Sequence, residues 1–238
     1  MNRFLQFKKT KKILIIFSLF TFLNACGRNA QNSSINPILS PPPNNTSILL
    51  PPSTLESCVS NDPNHQCIGL KIVSFQDSSR VSILQKADAQ ELVRGMNAIW
   101  KTCDVAFQLE SFLSIDPTEK NLNYSPNWKT ESGQVRAAFE EKDTFLIVSV
   151  GPWTNSTIAV TQMPGNGPHG VLVEKDYARN PLTVGHELGH YQGLLHLRDN
   201  TNLMSPYIGP NTAHLSQAQC SLARSTNFSN WPQMLRHP

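Results

Sequence analysis

The segment His186-Glu187-Leu188-Gly189-His190-Tyr191-Gln192-Gly193-Leu194-Leu195-His196 spaces three imidazoles and one carboxylate so that they can hold and use a metal ion. On an α-helix, four residues advance the chain by about 400° and about 6 Å. His186 and His190 therefore share a face, and both can reach one tetrahedral zinc at about 2.0–2.1 Å. Glu187 sits beside the first imidazole and cannot point straight at the ion, but it can hydrogen-bond a water held in an open coordination position. Gly193 takes a positive φ without a Cβ penalty, so it can end the helix and let the chain return with His196 as third ligand. A purely structural zinc usually closes with a fourth protein ligand, often Cys. The nearest Cys in sequence is Cys220, which has a better use as a disulfide partner.

The complete H-E-x-x-H-x-x-G-x-x-H pattern, followed by Met in Asn202-Leu203-Met204, resembles the metzincin zinc endopeptidases over about 25 residues, Asn180 to Met204. That resemblance implies His186, His190 and His196 as metal ligands, Glu187 as general base, and Met204 as the hydrophobic base of a Met-turn under the metal. Some members carry a Tyr two residues after this Met as a further ligand or transition-state donor. Here Tyr207 follows by three, which leaves that role or a pocket wall open. Asp199 could orient a ligand imidazole or cap a turn. His169 sits after a Gly/Pro turn, where solvation is a commoner fate than substrate contact.

Several elements must position these groups. Gly69 to Phe75 reads as a first strand, and Ala87 to Lys101 as a helix with Leu92, Met96 and Ile99 on one stripe. Val105, Phe107 and Leu109 alternate as a second strand. Residues 114–131 read as a polar surface excursion, and Gln134 to Glu141 as a short helix. Phe145 to Val150 is an apolar run expected of a central strand buried on both faces. Ile158 to Gln162 and Val171 to Val173 are further strands. Asn180 is a good N-cap and Pro181 suits the first turn of the metal-bearing helix. Gly185 and Gly189 weaken that helix by about 1 kcal/mol each, which close approach to a strand would explain. Ser216 caps a last helix through Arg224. The fold expected is α+β: a twisted mixed sheet carrying an active-site helix and a C-terminal helix. The resemblance implies an antiparallel edge strand that pairs with extended substrate, for which Ile158 to Gln162 is the candidate.

Ahead of this domain, residues 1–25 read as an export signal. Arg3, Lys8, Lys9, Lys11 and Lys12 precede a short apolar stretch, Ile13 to Leu23. Leu23-Asn24-Ala25-Cys26 resembles a bacterial lipobox, with Cys26 as the lipidated first residue of the mature chain and a plain secretory cut near Ala25 as the alternative. Gly27 in place of Asp suggests the outer membrane. Residues 26–57, rich in Asn, Ser and Pro, read as a tether, and an inhibitory pro-segment is the other possibility. Residues 58–238 read as the catalytic domain. Of the chain's 20 basic and 17 acidic residues, the signal removes five basic ones, leaving 15 against 17 and a net charge of −2. Nothing there suits a nucleic-acid partner.

Four cysteines then remain in an oxidising compartment, and Cys58–Cys67 with Cys103–Cys220 are the expected pairs among three possible connectivities. The sequence therefore points to a monomeric, membrane-tethered zinc endopeptidase that hydrolyses extended peptides, and it leaves a structural calcium open. Two rivals stand beside it: a zinc-stabilised surface lipoprotein that binds without cutting, and a zinc amidohydrolase acting on cell-wall peptides.

Overall fold

The computed structural model of the chain describes residues 23–27, 58, 62, 64–163 and 167–236. Most of the expected signal and tether therefore lies outside the described residues. In chain order the strands are β1 (Leu23–Gly27), β2 (Gln66–Phe75), β3 (Val105–Ile115), β4 (Phe145–Val150), β5 (Thr157–Gln162), β6 (Val171–Glu174) and β7 (Leu235–Arg236). The α-helices are α1 (Lys86–Trp100), α2 (Ser132–Phe139), α3 (Pro181–Tyr191) and α4 (Gln217–Asn230). Among the described residues no helix is long and apolar enough to cross a membrane.

One twisted sheet runs β1-β5-β6-β4-β2-β3, with β7 also paired to β2. β2 is parallel to β3 and β4, and β4 is parallel to β6, whereas β5 is antiparallel to β6. The fold is thus α+β with a mixed sheet. Ile158 to Gln162 is antiparallel to its neighbour β6, as expected, but it is not the edge, because its outer side pairs with β1. The boundary expected between residues 25 and 26 falls inside that added strand. β7 lies antiparallel to Cys67 and Ile68, just beyond the point where β4 begins its pairing at Leu70.

The apolar runs in β2 and β4 are buried because parallel strands are covered on both faces. Helix α1 buries Ala89, Leu92, Val93, Met96 and Trp100, a helical stripe that packs against β3 and α3. Its start is held by Asp88, whose carboxylate accepts the Gln85 N–H at 2.8 Å. At its other end the Trp100 indole donates to the Gly185 carbonyl at 3.3 Å, joining α1 to the middle of α3. α3 in turn packs on β5 and β6.

Both expected disulfides are formed. Cys58–Cys67 closes a sequence separation of 9, and Cys103–Cys220 closes one of 117, fastening α4 to the turn that follows α1. β2 begins earlier than expected, at Gln66 rather than Gly69, and β3 and α4 run well past the ends that their side-chain patterns foretold. β3 continues to Ile115 because β2 offers it a parallel partner as far as Phe75. α4 continues past Arg224 to Asn230 because its last turns bury Thr226 and Asn227. The Asn227 amide donates to Gln66 at 3.0 Å and to Gln192 at 2.8 Å.

Candidate metal centre

Helix α3 begins where the sequence indicates. Asn180 accepts the Leu182 N–H at 2.9 Å, and Pro181 occupies the first turn, where no donor is needed. One turn apart on this helix, His186 and His190 are fully buried. The helix ends at Tyr191, and Gly193 takes φ +83° while its N–H donates to the His190 carbonyl at 2.9 Å. A side chain at 193 would also meet the Thr226 hydroxyl at 2.9 Å, so both backbone and space require glycine here. The reversal brings His196 back to the helix.

The three imidazoles converge through their Nε2 atoms. His186 to His190 is 3.1 Å, His186 to His196 is 3.3 Å and His190 to His196 is 3.1 Å. A tetrahedral ion about 2.0–2.1 Å from each nitrogen requires edges of about 3.3–3.4 Å, so the triangle matches zinc ligation to within a few tenths of an ångström. The tautomers agree. His186 Nδ1 lies 2.6 Å from the Leu203 carbonyl, and His190 Nδ1 lies 2.7 Å from the Leu194 carbonyl. A carbonyl can only accept, so each Nδ1 carries the proton and each Nε2 presents a lone pair. Lone pairs pointed at one another this closely repel unless a cation lies between them. Burial lowers the His186 pKa to about 4, with the Leu203 carbonyl opposing. Burial likewise lowers His190 well below the usual range and lowers His196, which keeps all three in the ligating form near neutrality.

The chain below the helix is arranged to support this set. Met204 is fully buried, and its sulfur lies against the backbone of Gly189. Gly189 therefore serves the methionine rather than a strand, and Gly185 faces Trp100. Leu197 N–H donates to the Met204 carbonyl at 2.9 Å, tying the His196 loop to the Met-bearing turn. Asn202 accepts the Met204 N–H at 2.9 Å, and its side chain exchanges two hydrogen bonds with Gln219, at 2.8 and 2.9 Å. Gln219 also accepts the Ser216 N–H at 2.9 Å, so the start of α4 braces the turn that presents the Leu203 carbonyl to His186. Neither Asn202 nor Gln219 stood out in the sequence, although the spacing of Ser216 and Gln219 is that of a capping box.

Glu187 is buried between the two helical ligands in sequence, carboxylate oxygens included. It lies within electrostatic reach of Arg136, a guanidinium that is itself 2% exposed. Burial lowers the Arg136 pKa to about 10, while Tyr191 and Glu187 pull it the other way. Arg136 donates to the Gly170 carbonyl at 2.8 Å, the Val160 carbonyl at 3.3 Å and the Ser132 hydroxyl at 3.3 Å. It thereby joins α2 to both β5 and the segment entering β6. Sequence pattern gave no sign of this, because a single Arg in a short polar helix reads as solvated.

The remaining candidates occupy other places. Asp199 accepts the Thr201 N–H at 2.9 Å and its hydroxyl at 2.8 Å, so it caps a turn. Those hydrogen bonds hold its carboxyl below the usual range, and the helical imidazoles are oriented by carbonyls instead. Tyr207 is 51% exposed, and its backbone N–H and carbonyl bond the Ser205 hydroxyl. His169 packs edge-on against Trp231 and Tyr191, with centroids at 4.5 and 6.0 Å, rather than standing in solvent. Cys26 lies in β1, opposite Ala159.

No model of a known protein family matches the sequence, and no curated protein matches it. Among solved structures it is similar to metalloproteinase-II from Bacteroides fragilis, at 14% identity and a TM-score of 0.47, over 71% of this chain and 55% of that one. The chain thus spans little more than half the length of that protein. What the site can do follows from its own atoms: three neutral imidazoles that can hold one divalent ion, with a buried carboxylate adjacent in the helix.

Proposed function

We propose that residues 58–238 form a zinc-dependent endopeptidase acting on extended peptides. The observation that carries this is the closed triangle of Nε2 atoms, 3.1 to 3.3 Å on a side, with two of its rings held by backbone carbonyls. His186, His190 and His196 would hold the ion. When bound, zinc supplies Lewis acidity, bringing the pKa of water towards about 7 and polarising a carbonyl. Glu187 acts as general base: it takes a proton from the attacking water and returns it to the leaving amine. Its burial shields that transfer from bulk solvent. Met204 fixes the floor beneath the ligands. The outer side of β5, beside α3, aligns the substrate through main-chain hydrogen bonds, a mode that tolerates many side chains. Tyr207, exposed after the Met-bearing turn, is a candidate to meet substrate.

We further propose that the domain works outside the cytoplasm as a monomer tethered to the outer membrane through lipid on Cys26, a reading that the leader pattern and the two disulfides support. The test is Glu187→Gln in zinc-loaded protein, assayed on casein and on purified cell wall side by side. Retained zinc with casein cleavage lost supports the assignment. Undiminished cleavage in the variant rejects it, and cleavage of wall alone would move the substrate to cell-wall peptides.

A further inference from the structure

The outer side of β5 is already taken, by this chain's own residues. β1 pairs antiparallel with β5 in the register Leu23 to Gln162, Asn24 to Thr161, Ala25 to Val160 and Cys26 to Ala159, with an irregularity before Gly27 meets Thr157. β5 has β6 on its other side, so among the described residues β1 is the outermost strand on this side of the sheet. An extended peptide that adds to β5 must use the same N–H and C=O groups that β1 now uses. The two cannot bind together.

We infer that Leu23–Gly27 is an internal occupant of the peptide-binding edge, and that loss of residues up to Ala25 opens it. This rests on the peptidase proposal only for the identity of the displaced ligand. The physical basis is covalent attachment to the same chain. A segment on the same chain competes at an effective concentration that a free peptide must exceed, without needing strong contacts of its own. Hydrolysis of the Ala25–Cys26 bond adds water across the amide, giving a carboxylate on Ala25 and a new amino group on Cys26. Three of the five strand residues then leave. The two that remain cannot hold a strand, since short isolated pairings are marginal at best. The same cut that would complete export thus vacates the edge, which keeps the cleft closed to peptides until the leader is gone.

The experiment uses the full chain made in a cell-free system with detergent, its intact mass confirming that residue 1 is present. Asn24→Pro with Ala25→Pro removes two successive N–H groups, one of which must face β5. Asn44→Pro with Asn45→Pro is the control outside β1. Amide exchange of Thr157–Gln162 should quicken in the first variant and not in the control. Affinity for a fluorescein-labelled casein peptide, read by anisotropy in zinc-loaded Glu187→Gln background, should rise by about tenfold, the equivalent of about 1.4 kcal/mol. Exported protein whose mass begins at Cys26 should match the first variant in both readings. Unchanged β5 exchange overturns the inference whether or not the protein cuts peptides. Faster exchange with unchanged affinity overturns the competition. Failure of the peptidase proposal shows separately, as casein left intact by the wild type.

Discussion

The sulfur of Met204 lies 2.5 Å from where a Cβ on residue 189 would stand, closer than real Cβ contacts allow. The metal-bearing helix and the turn beneath it are therefore in contact through backbone on one side and thioether on the other. Glycine at 189 weakens the helix by about 1 kcal/mol against alanine, so Gly189→Ala would stabilise an isolated helix. In the folded domain the added methyl must push Met204, which is fully buried, and overpacking of this kind costs about 1–3 kcal/mol. The expected outcome is a net loss of stability and weaker zinc binding, both restored in part when Met204→Ala makes room. A double-mutant cycle in thermal melting and zinc titration measures the coupling, and additive effects would show that the contact is slack.

Zinc should stabilise the fold as well as act in it. A ligand present at about a thousand times its dissociation constant adds about 4 kcal/mol, which at this size corresponds to about 8–16 °C in melting temperature. Stripping with a chelator should lower the melting point by that much and zinc should restore it. The Glu187→Gln variant should keep the full shift, because its carboxylate is not counted among the ligands. His196→Ala should lose most of it. An equal shift in the His196 variant would remove that residue from the metal.

The sequence made the metal helix legible because its signals are local. The Asn180 cap, Pro181, the histidine spacing and the Gly193 break each need only a few neighbouring residues, and all appear in place. α1 and β4 were legible for a similar reason, since one stripe and one apolar run specify them. What escaped was settled by distant partners. β3 gains its second half from β2, and β7 exists because Cys67 and Ile68 have a free side beyond β4. α4 is lengthened by an amide network that hydrophobic periodicity cannot register. Asp199 is the exception: its partner Thr201 is only two residues away, yet side-chain type alone left its two roles equal.

His169 should make stability depend on pH. Its ring is wedged against Trp231 and Tyr191, its Nδ1 is buried without a hydrogen-bond partner, and burial lowers its pKa, with Glu140 opposing and Arg136 assisting. The unfolded chain therefore takes up the proton first as pH falls. The stability that the neutral ring contributes is present above the ordinary histidine pKa of about 6.5 and is lost progressively below it. His169→Gln should flatten the fall in stability between about pH 6.5 and 5, measured by denaturant unfolding of zinc-loaded protein at several pH values. Trp231 fluorescence reports the same site locally. An identical slope in the variant would assign the acid sensitivity elsewhere.

Arg136 should matter to the peptide-binding edge although it lies away from the ligands. Its guanidinium spans the Val160 carbonyl of β5, the Gly170 carbonyl before β6 and the Ser132 hydroxyl of α2. With a pKa of about 10 even after burial, it stays charged at neutral pH, so the three bonds remain charge-assisted. Lysine keeps the charge but cannot reproduce a planar fork. Arg136→Lys leaves buried carbonyls poorly satisfied, which costs about 1–3 kcal/mol each when no water replaces the donor. The strand that suffers is the one proposed to align substrate, whereas the imidazoles are held by Leu203 and Leu194. The expected pattern is a lower melting temperature and a KM raised several-fold, with kcat and zinc content changed much less. A fall in kcat at constant KM would instead show that Arg136 acts through Glu187.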